Sequence, residues 1–485
     1  MLTCTVHVDD EVNCRIGGLR PEHLELLWEK FGLFVEGYFH MPAYQLRRWD
    51  GKIRFFDKRG KTYTKLLDEI IPYLVTWGYE VNINDKRVAL PPIPDRIEAD
   101  FFGLANEADE NDRFSFRPYQ LEVTNALLEA GSGIAVCATG SGKTSICAAL
   151  AIVLYAHGFQ TIVIVPSSDL VDQTAEEFRK KFKHLDVPVG VYSGSEKDID
   201  QPIVIATWQS LQNAPHYMTF FQAVIVDEAH GARALVIKEL INEHGKNIVY
   251  RYGCTGTLPK DPADRFSLKV SIGQVIREVS AAFLIKEGYL SSIEIKPIEM
   301  QDVSEEMPDY ASEKAYLSKH EDRLADLAMM IREAQAQYGN TMVLINSIPQ
   351  GQALEELIPD STFLFGESEK DLRKINYKQY AERDDVILLA SSGIASTGIS
   401  IDRIFCLILI DTGKSFVRCI QSVGRGLRKK GDKNHLVVID VYSKMKFSRK
   451  HFRERKKYYV EAEYPVTAST KRKYGLVAVK GGVVF

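Results

Sequence analysis

The chain has 485 residues, 45% hydrophobic and 26% charged, and its 61 Lys and Arg against 65 Asp and Glu leave a net charge of −4. That composition excludes collagen-like, disordered and membrane-spanning classes, and the longest uncharged apolar run, 146–156, falls far short of the ~20 residues a membrane span needs. The near-neutral total hides segregation: 47–65 and 444–457 are strongly basic and 95–112 strongly acidic, so local fields rather than the sum decide what the surface attracts. The seven cysteines include no Cys-x-x-Cys pair, which indicates neither a disulfide framework nor a zinc site and fits a reducing, cytoplasmic setting.

In chain order, Leu2, Cys4, Val6 and Val8 alternate with Thr3, Thr5 and His7, the period of a strand. A helix follows around 21–31, then a basic strand-turn-strand around 47–57 and a helix over 65–78, so that 1–90 reads as a small α+β domain. The acidic, proline-containing stretch 91–112 reads as a linker with few apolar residues to order it. From Phe114 onward short apolar strands alternate with amphipathic segments, the pattern of parallel β/α units covered on both faces. Strands over 133–137, 161–165, 203–206, 223–226 and 248–252 define a first α/β domain, 113–290. Strands over 342–345, 363–365, 386–390, 406–410 and 436–439 define a second, 291–445, with Leu324, Leu327, Ile331 and Ala334 marking a helix face before them. The two join near 287–292, and 446–485 is a basic C-terminal extension.

Residues 138–145, Ala-Thr-Gly-Ser-Gly-Lys-Thr-Ser, lie between a predicted strand and a predicted helix, the context a phosphate-binding loop requires. Glycines let backbone N–H groups approach phosphate oxygens, the following helix presents its positive end, Lys143 can reach the β- and γ-phosphates and Thr144 can ligate Mg²⁺. Thr139, Gly140, Ser141, Gly142 and Ser145 complete the cradle. Cys137 stands where the usual pattern begins with glycine, and taken alone the loop also reads as a tight glycine turn. The segment Val224-Ile225-Val226-Asp227-Glu228-Ala229-His230 ends an apolar strand. In parallel sheets ligands lie beyond the carboxyl ends of strands, where Asp227 can hold Mg²⁺ and Glu228 can orient an attacking water. Alone the pair also reads as an acidic helix cap, but the two segments together point to hydrolysis of ATP with Mg²⁺. Residues 421–428 place Arg425 and Arg428 three apart on one helix face, either as cations for the γ-phosphate in an interdomain cleft or as ordinary surface arginines.

These segments, in this order over about 114–445, resemble the superfamily-two helicases. The resemblance implies two tandem RecA-like parallel-sheet motor domains preceded by a small nucleic-acid-binding domain. It implies that Arg117 and Gln120 of Arg117-Pro118-Tyr119-Gln120 read the adenine edge and that Gly398 faces the nucleotide. It adds His230 and Gln421 to Lys143, Asp227, Glu228, Arg425 and Arg428 as catalytic residues. Ser167, Thr207 and Trp208 in the first domain and Ser392 and Ser396 in the second would grip a nucleic-acid backbone, and Thr255-Gly256-Thr257 would couple hydrolysis to domain movement. Trp49-Asp50-Gly51-Lys52-Ile53-Arg54 narrows the resemblance to the UvsW-type helicases of T-even bacteriophages, and more distantly the XPB-type repair helicases. That implies an ATP-driven motor acting on branched or forked DNA by junction migration, fork regression and unwinding of D-loops and R-loops, in the cytoplasm of a bacterial host. Ser400 departs from the pattern, standing where relatives carry an acid.

The cluster Arg47, Arg48, Lys52, Arg54, Lys58, Arg59, interleaved with Trp49, Phe55 and Phe56, is either a phosphate-binding, base-stacking surface or a solvated basic hairpin. Strand alternation puts Lys52, Arg54 and Phe56 on one face and Ile53 and Phe55 on the other, with Phe55 in the core. The run from Lys444 to Lys457 reads equally as a nucleic-acid patch and as a solvated helix face, with Tyr458 and Tyr459 packing the tail onto the second domain. Two other readings stay open: an RNA helicase or restriction-system motor subunit, and a nucleic-acid-binding scaffold that uses ATP only as a switch.

Overall fold

The computed structural model describes the chain apart from residues 1, 88–92, 94–95, 99–115, 183–184, 195, 229–237, 303–306, 367–381, 392–402, 414–434 and 475–485. It divides into two compact units, Met1–Cys137 with Gly142–Val279, and Ser280–Phe485 with Ala138–Ser141.

The first unit begins with a small sheet. Strands β1 (Leu2–Val8) and β2 (Asn13–Gly17) pair antiparallel, helix α1 (Pro21–Lys30) follows, and β3 (Gly32–Phe34) pairs antiparallel with β4 (Lys52–Arg54) across the short helix α2 (Pro42–Gln45). Strand β5 (Lys61–Tyr63), helix α3 (Leu67–Thr76) and strand β6 (Tyr79–Asp85) complete the layer, with sheet order β5-β2-β1-β6. The alternation of Cys4, Val6 and Val8 is buried against Leu27, Ile70 and Leu74, as period-2 and period-3.6 patterns require. Phe56 departs from the sequence expectation. β4 ends at Arg54, and Phe55 and Phe56 are each only 1% exposed, because the chain leaves the strand and Phe56 bridges to Thr62.

Two of the expected linker residues, Ile93 and Ile97, are buried, and the Ile97 backbone exchanges both its hydrogen bonds with the Asn125 side chain on helix α4 (Pro118–Ala130). An eight-stranded sheet follows: β7 (Ser132–Cys137), β8 (Thr161–Val165), β9 (Val189–Ser193), β10 (Glu196–Lys197), β11 (Ile203–Thr207), β12 (Ala223–Asp227), β13 (Tyr250–Thr255) and β14 (Val275–Val279). Its order is β10-β9-β11-β8-β12-β13-β7-β14, parallel except for β10. Helix α5 (Lys143–Ala156), buried almost throughout, covers it. The strand expected over 248–252 runs instead from Tyr250 to Thr255. A charged residue does not end it, because fully buried Arg251 donates to the carbonyls of Ile248, Ser271 and Gly245 at 2.8–3.1 Å.

The small layer shares its core with this sheet's flank. Val270 belongs to the cluster built by β1, α1 and α3, and Phe266 packs on Phe31 and Phe55. Polar ties reinforce the seam: the Glu36 N–H donates to Asp261 Oδ2 at 2.6 Å, and Lys269 pairs with Glu69.

The second unit carries a seven-stranded parallel sheet: β15 (Ser292–Met300), β16 (Thr341–Ile345), β17 (Thr362–Leu364), β18 (Ile387–Ser391), β19 (Cys406–Ile410), β20 (His435–Ser443) and β21 (Thr470–Arg472), in the order β17-β18-β16-β19-β20-β15-β21. Leu324, Leu327, Ile331 and Ala334 pack on it from the helix Glu321–Tyr338. β15 was not legible because Glu294, Lys296 and Pro297 interrupt it. Pro297 is tolerated because its missing N–H lies on the β21 side, where Ile295 also bonds, and not on the side continuously paired with β20. Residues 446–472 are built into this unit: the helix Lys446–Glu461 buries Tyr458, Tyr459 and Arg455, and β21 extends the sheet. Among the described residues no helix is long and apolar enough to cross a membrane.

Candidate functional site

The loop 138–142 leaves the carboxyl end of β7 and enters α5 at Lys143. Gly140 and Gly142 take left-handed backbone conformations (φ 86° and 81°), which glycine adopts without the Cβ penalty. At Gly142 the requirement is also spatial, since a Cβ there would lie 2.3 Å from the Gln120 amide nitrogen. Gln120 is buried at the start of α4, its Oε1 accepts the Arg117 N–H at 3.0 Å, and Arg117 Nη1 donates to the Tyr119 hydroxyl at 3.2 Å. The expected adenine-reading pair and the phosphate loop are therefore brought together. Ser145 is buried with its N–H on the Gly142 carbonyl at 2.9 Å, and Thr144 is half-buried on the first turn of α5.

Opposite the loop, β12 delivers Asp227 and Glu228 at its carboxyl end, separated from β7 in the sheet by β13 alone. Glu228 sits at φ 53°, a conformation rare for a residue with a side chain, and its N–H donates to Asp227 Oδ1 at 3.0 Å. Buried Lys143 places Nζ 3.4 Å from Glu228 Oε1 and 3.4 Å from the Cys137 carbonyl. Burial opposes the Lys143 charge, but Glu228 and then Asp227 outweigh it and hold its pKa above the usual lysine value. The site fits an anionic, metal-bearing ligand: Lys143 is kept cationic, Thr139 Oγ1 is buried with no hydrogen-bond partner among the described residues, and the glycines leave room for close approach. Thr144 and Asp227 are the candidates to hold Mg²⁺, which ordinarily takes few protein ligands besides substrate phosphates. Thr255 and Thr257, at the end of the intervening β13, are locked together by Thr255 Oγ1 donating to the Thr257 carbonyl at 2.7 Å.

Ser167 lies two residues past β8, and Thr207 ends the neighbouring β11, opposite Val165 in register. Gln209 Nε2 donates across the gap to the Pro166 carbonyl at 3.5 Å, so these segments form one edge of the sheet's carboxyl end. Thr207 is buried and its hydroxyl caps helix α7 (Trp208–Asn213) by accepting the Ser210 N–H. Trp208 is half-buried against the core. His230, Ser392, Ser396, Gly398, Gln421, Arg425 and Arg428 lie outside the described residues.

The basic cluster is sorted by its acidic partners. Lys52 pairs with Glu29 at 2.8 Å and holds that carboxyl below its usual pKa. Arg54 pairs with Asp50 at 2.5 Å and lies 3.9 Å from the Trp28 ring centroid, and Lys58 pairs with Glu25 at 2.7 Å. Arg47, Arg48 and Arg59 are exposed and, among the described residues, make no ion pair. The signal missed in the sequence was α1, where Glu25, Trp28 and Glu29 share one helix face at i, i+3 and i+4 spacing.

A parallel sheet with a lysine-bearing glycine loop and an Asp-Glu pair at the same strand ends defines a nucleotide-hydrolysing motor of RecA-like build. Residues 113–260 match the family described as type III restriction enzyme, res subunit. The chain is 25% identical over 474 residues to the ATP-dependent DNA helicase uvsW of Enterobacteria phage T4, covering 93% of each protein. It is 27% identical over 340 residues to a putative DNA 3'-5' helicase Rad25 of Haloarcula marismortui, covering 67% of this chain and 52% of that one. The fragment structure of a putative HsdR subunit of a type I restriction enzyme from Vibrio vulnificus shares the fold, with TM-score 0.58 and 18% identity over 74% of this chain and 68% of that chain. The chain belongs to the superfamily-two ATP-dependent helicases.

Proposed function

We propose that the chain couples ATP hydrolysis to the remodelling of branched DNA. The observation that carries the hydrolytic half is the meeting of Lys143 with Glu228, 3.4 Å apart, beside Asp227 at the carboxyl ends of β7 and β12. In this reading Lys143 neutralises the β- and γ-phosphates, Gly140 and Gly142 admit them to backbone N–H groups, and Glu228 turns from Lys143 to orient the attacking water. Mg²⁺, held by Thr144 and Asp227, supplies charge neutralisation across the same phosphates. Arg117 and Gln120 recognise adenine. His230, Gln421, Arg425, Arg428 and Gly398 keep the nucleotide-site roles the resemblance implies, and Ser167, Thr207, Trp208, Ser392 and Ser396 keep those along the strand.

Branched DNA is favoured over RNA by the similarity to uvsW, which at 93% coverage must reach through much of the small N-terminal domain, the part that carries the exposed arginines. The test is strand displacement on a forked duplex and a four-way junction. We expect product with ATP and none with a non-hydrolysable analogue or with Lys143→Ala. Displacement with the analogue would instead identify an ATP-gated scaffold. The likeness of 113–260 to a restriction subunit family supports a second reading, a translocating subunit of a nuclease complex. ATP-driven movement along plain duplex with no preference for branches would favour it.

A further inference from the structure

Between β3 and β4 the chain makes an excursion, 35–51, that is held firmly and yet leaves apolar surface in solvent. Its base is fixed: the Val35 N–H donates to the Gly51 carbonyl at 2.9 Å, the Glu36 N–H to Asp261, and Trp49 Nε1 to the Lys52 carbonyl at 2.8 Å. Tyr38 packs so closely on Gly51 that a Cβ there would meet its ring at 2.5 Å, and it makes edge contacts with Phe39 and Tyr44. Despite this order Phe39 is 53% exposed and Leu46 60%. Phe39, Tyr44, Arg47, Arg48, Trp49 and Asp50 line an open concavity of about 570 Å³. Asp50 is committed to Arg54 and to the Lys52 N–H, so the field at its mouth is set by Arg47 and Arg48, the two cations that the acids of α1 do not neutralise. Arg47 is held at φ 55°, a strained placement that turns consecutive guanidinium groups onto the rim.

We propose that this concavity takes an unpaired nucleobase at the branch point of DNA, stacked on the Phe39 and Trp49 rings with its flanking phosphates on Arg47 and Arg48. Aromatic faces beside guanidinium groups match the alternation of base and phosphate along a single strand, and an acidic peptide would leave the aromatic walls without use. The proposal rests on the reading of the chain as a branched-DNA motor and adds a site separate from the strand-gripping edge near Ser167. Through Asp261, six residues past the Thr255-Gly256 pair that follows β13, the excursion is tied to the segment expected to couple hydrolysis to movement.

The experiment uses the full chain and a forked duplex with 2-aminopurine at the first unpaired position, compared with the same fork carrying an abasic residue there. Binding should quench 2-aminopurine. The abasic residue and Phe39→Ala should each weaken fork binding about five- to tenfold, as loss of one stacked base does. Combined, they should cost no more than either alone. Arg47→Gly, which relieves the backbone strain and so keeps the fold, should lower the slope of log affinity against log salt by about one. Equal affinity for the abasic fork, an unquenched probe, or a Phe39→Ala loss that is as large on the abasic fork would overturn the base site. In those cases unmodified forks would still be unwound and the motor reading would stand. Failure of the wild-type chain to bind any fork would overturn both.

Discussion

Replacing Arg455 by methionine tests how the C-terminal helix is held. Arg455 and Asp440 are fully buried in the second unit, joined by Nε–Oδ2 at 3.0 Å and Nη2–Oδ1 at 2.7 Å, with Nη1 donating to the Thr412 carbonyl and the Tyr459 hydroxyl donating to Asp440 Oδ2 at 2.9 Å. Arg455→Met fills similar volume but leaves the Asp440 carboxylate with only the Tyr459 hydroxyl among its described contacts, which should cost about 3–5 kcal/mol. Replacing both partners, Arg455→Met with Asp440→Leu, removes the uncompensated charge and should recover most of that loss, ending within about 2 kcal/mol of the parent. Urea unfolding separates the units, because the chain's four tryptophans, Trp28, Trp49, Trp77 and Trp208, all lie in the first. The single variant should shift the circular-dichroism transition while the tryptophan-fluorescence midpoint holds. A loss under about 1 kcal/mol, or a double variant no more stable than the single, would refute the buried pair as the clamp on this helix.

Gly142→Ala combines left-handed strain of about 1–2 kcal/mol with displacement of Gln120, and should weaken ATP binding tenfold or more in a fluorescent-nucleotide titration. Gly158→Ala carries the same strain at φ 79° with nothing within 4 Å, and should lower thermal stability while leaving nucleotide affinity unchanged. Asp261→Ala removes the cap on the Ala263 N–H and the acceptor for the Glu36 N–H, both at 2.6 Å, for about 1–3 kcal/mol. Hydrogen exchange should then rise at Glu36 and along 35–51 before it rises in β1 or β2. Burial pushes the thiols of Cys14, Cys137 and Cys406 up to about 12, so at pH 8 only about one in ten thousand is thiolate. Mass spectrometry after N-ethylmaleimide treatment should find all three unmodified in the folded protein and modified after denaturation.

The parallel sheets and the phosphate loop were legible because their strands are unbroken apolar runs and their glycines stand at fixed spacing from Lys143. Strands that carry charge were not. Arg251 lies within β13 because three carbonyls receive its guanidinium, and Lys296 and Pro297 lie within β15 because one side of that strand is only partly paired, neither of which a residue pattern records. The same holds for the basic segments. Along the sequence Lys52, Arg54, Arg47 and Arg48 look alike, and the tertiary packing of α1 against β4 decides that the first two are paired and the last two face solvent. In the C-terminal run, eight cations read as one patch, yet Arg455 is the buried anchor of a helix and Arg449 pairs with Glu299 at 3.4 Å.

Steady-state ATP hydrolysis, measured without nucleic acid and with single-stranded DNA, duplex, a fork, a four-way junction and RNA at two salt concentrations, bears most directly on the reading of this chain as a branched-DNA motor. Lys143→Ala serves as the blank. The fork and junction should stimulate most, with the stimulation falling steeply at the higher salt as phosphate contacts are screened. Stimulation by RNA alone, or hydrolysis indifferent to every nucleic acid offered, would contradict it.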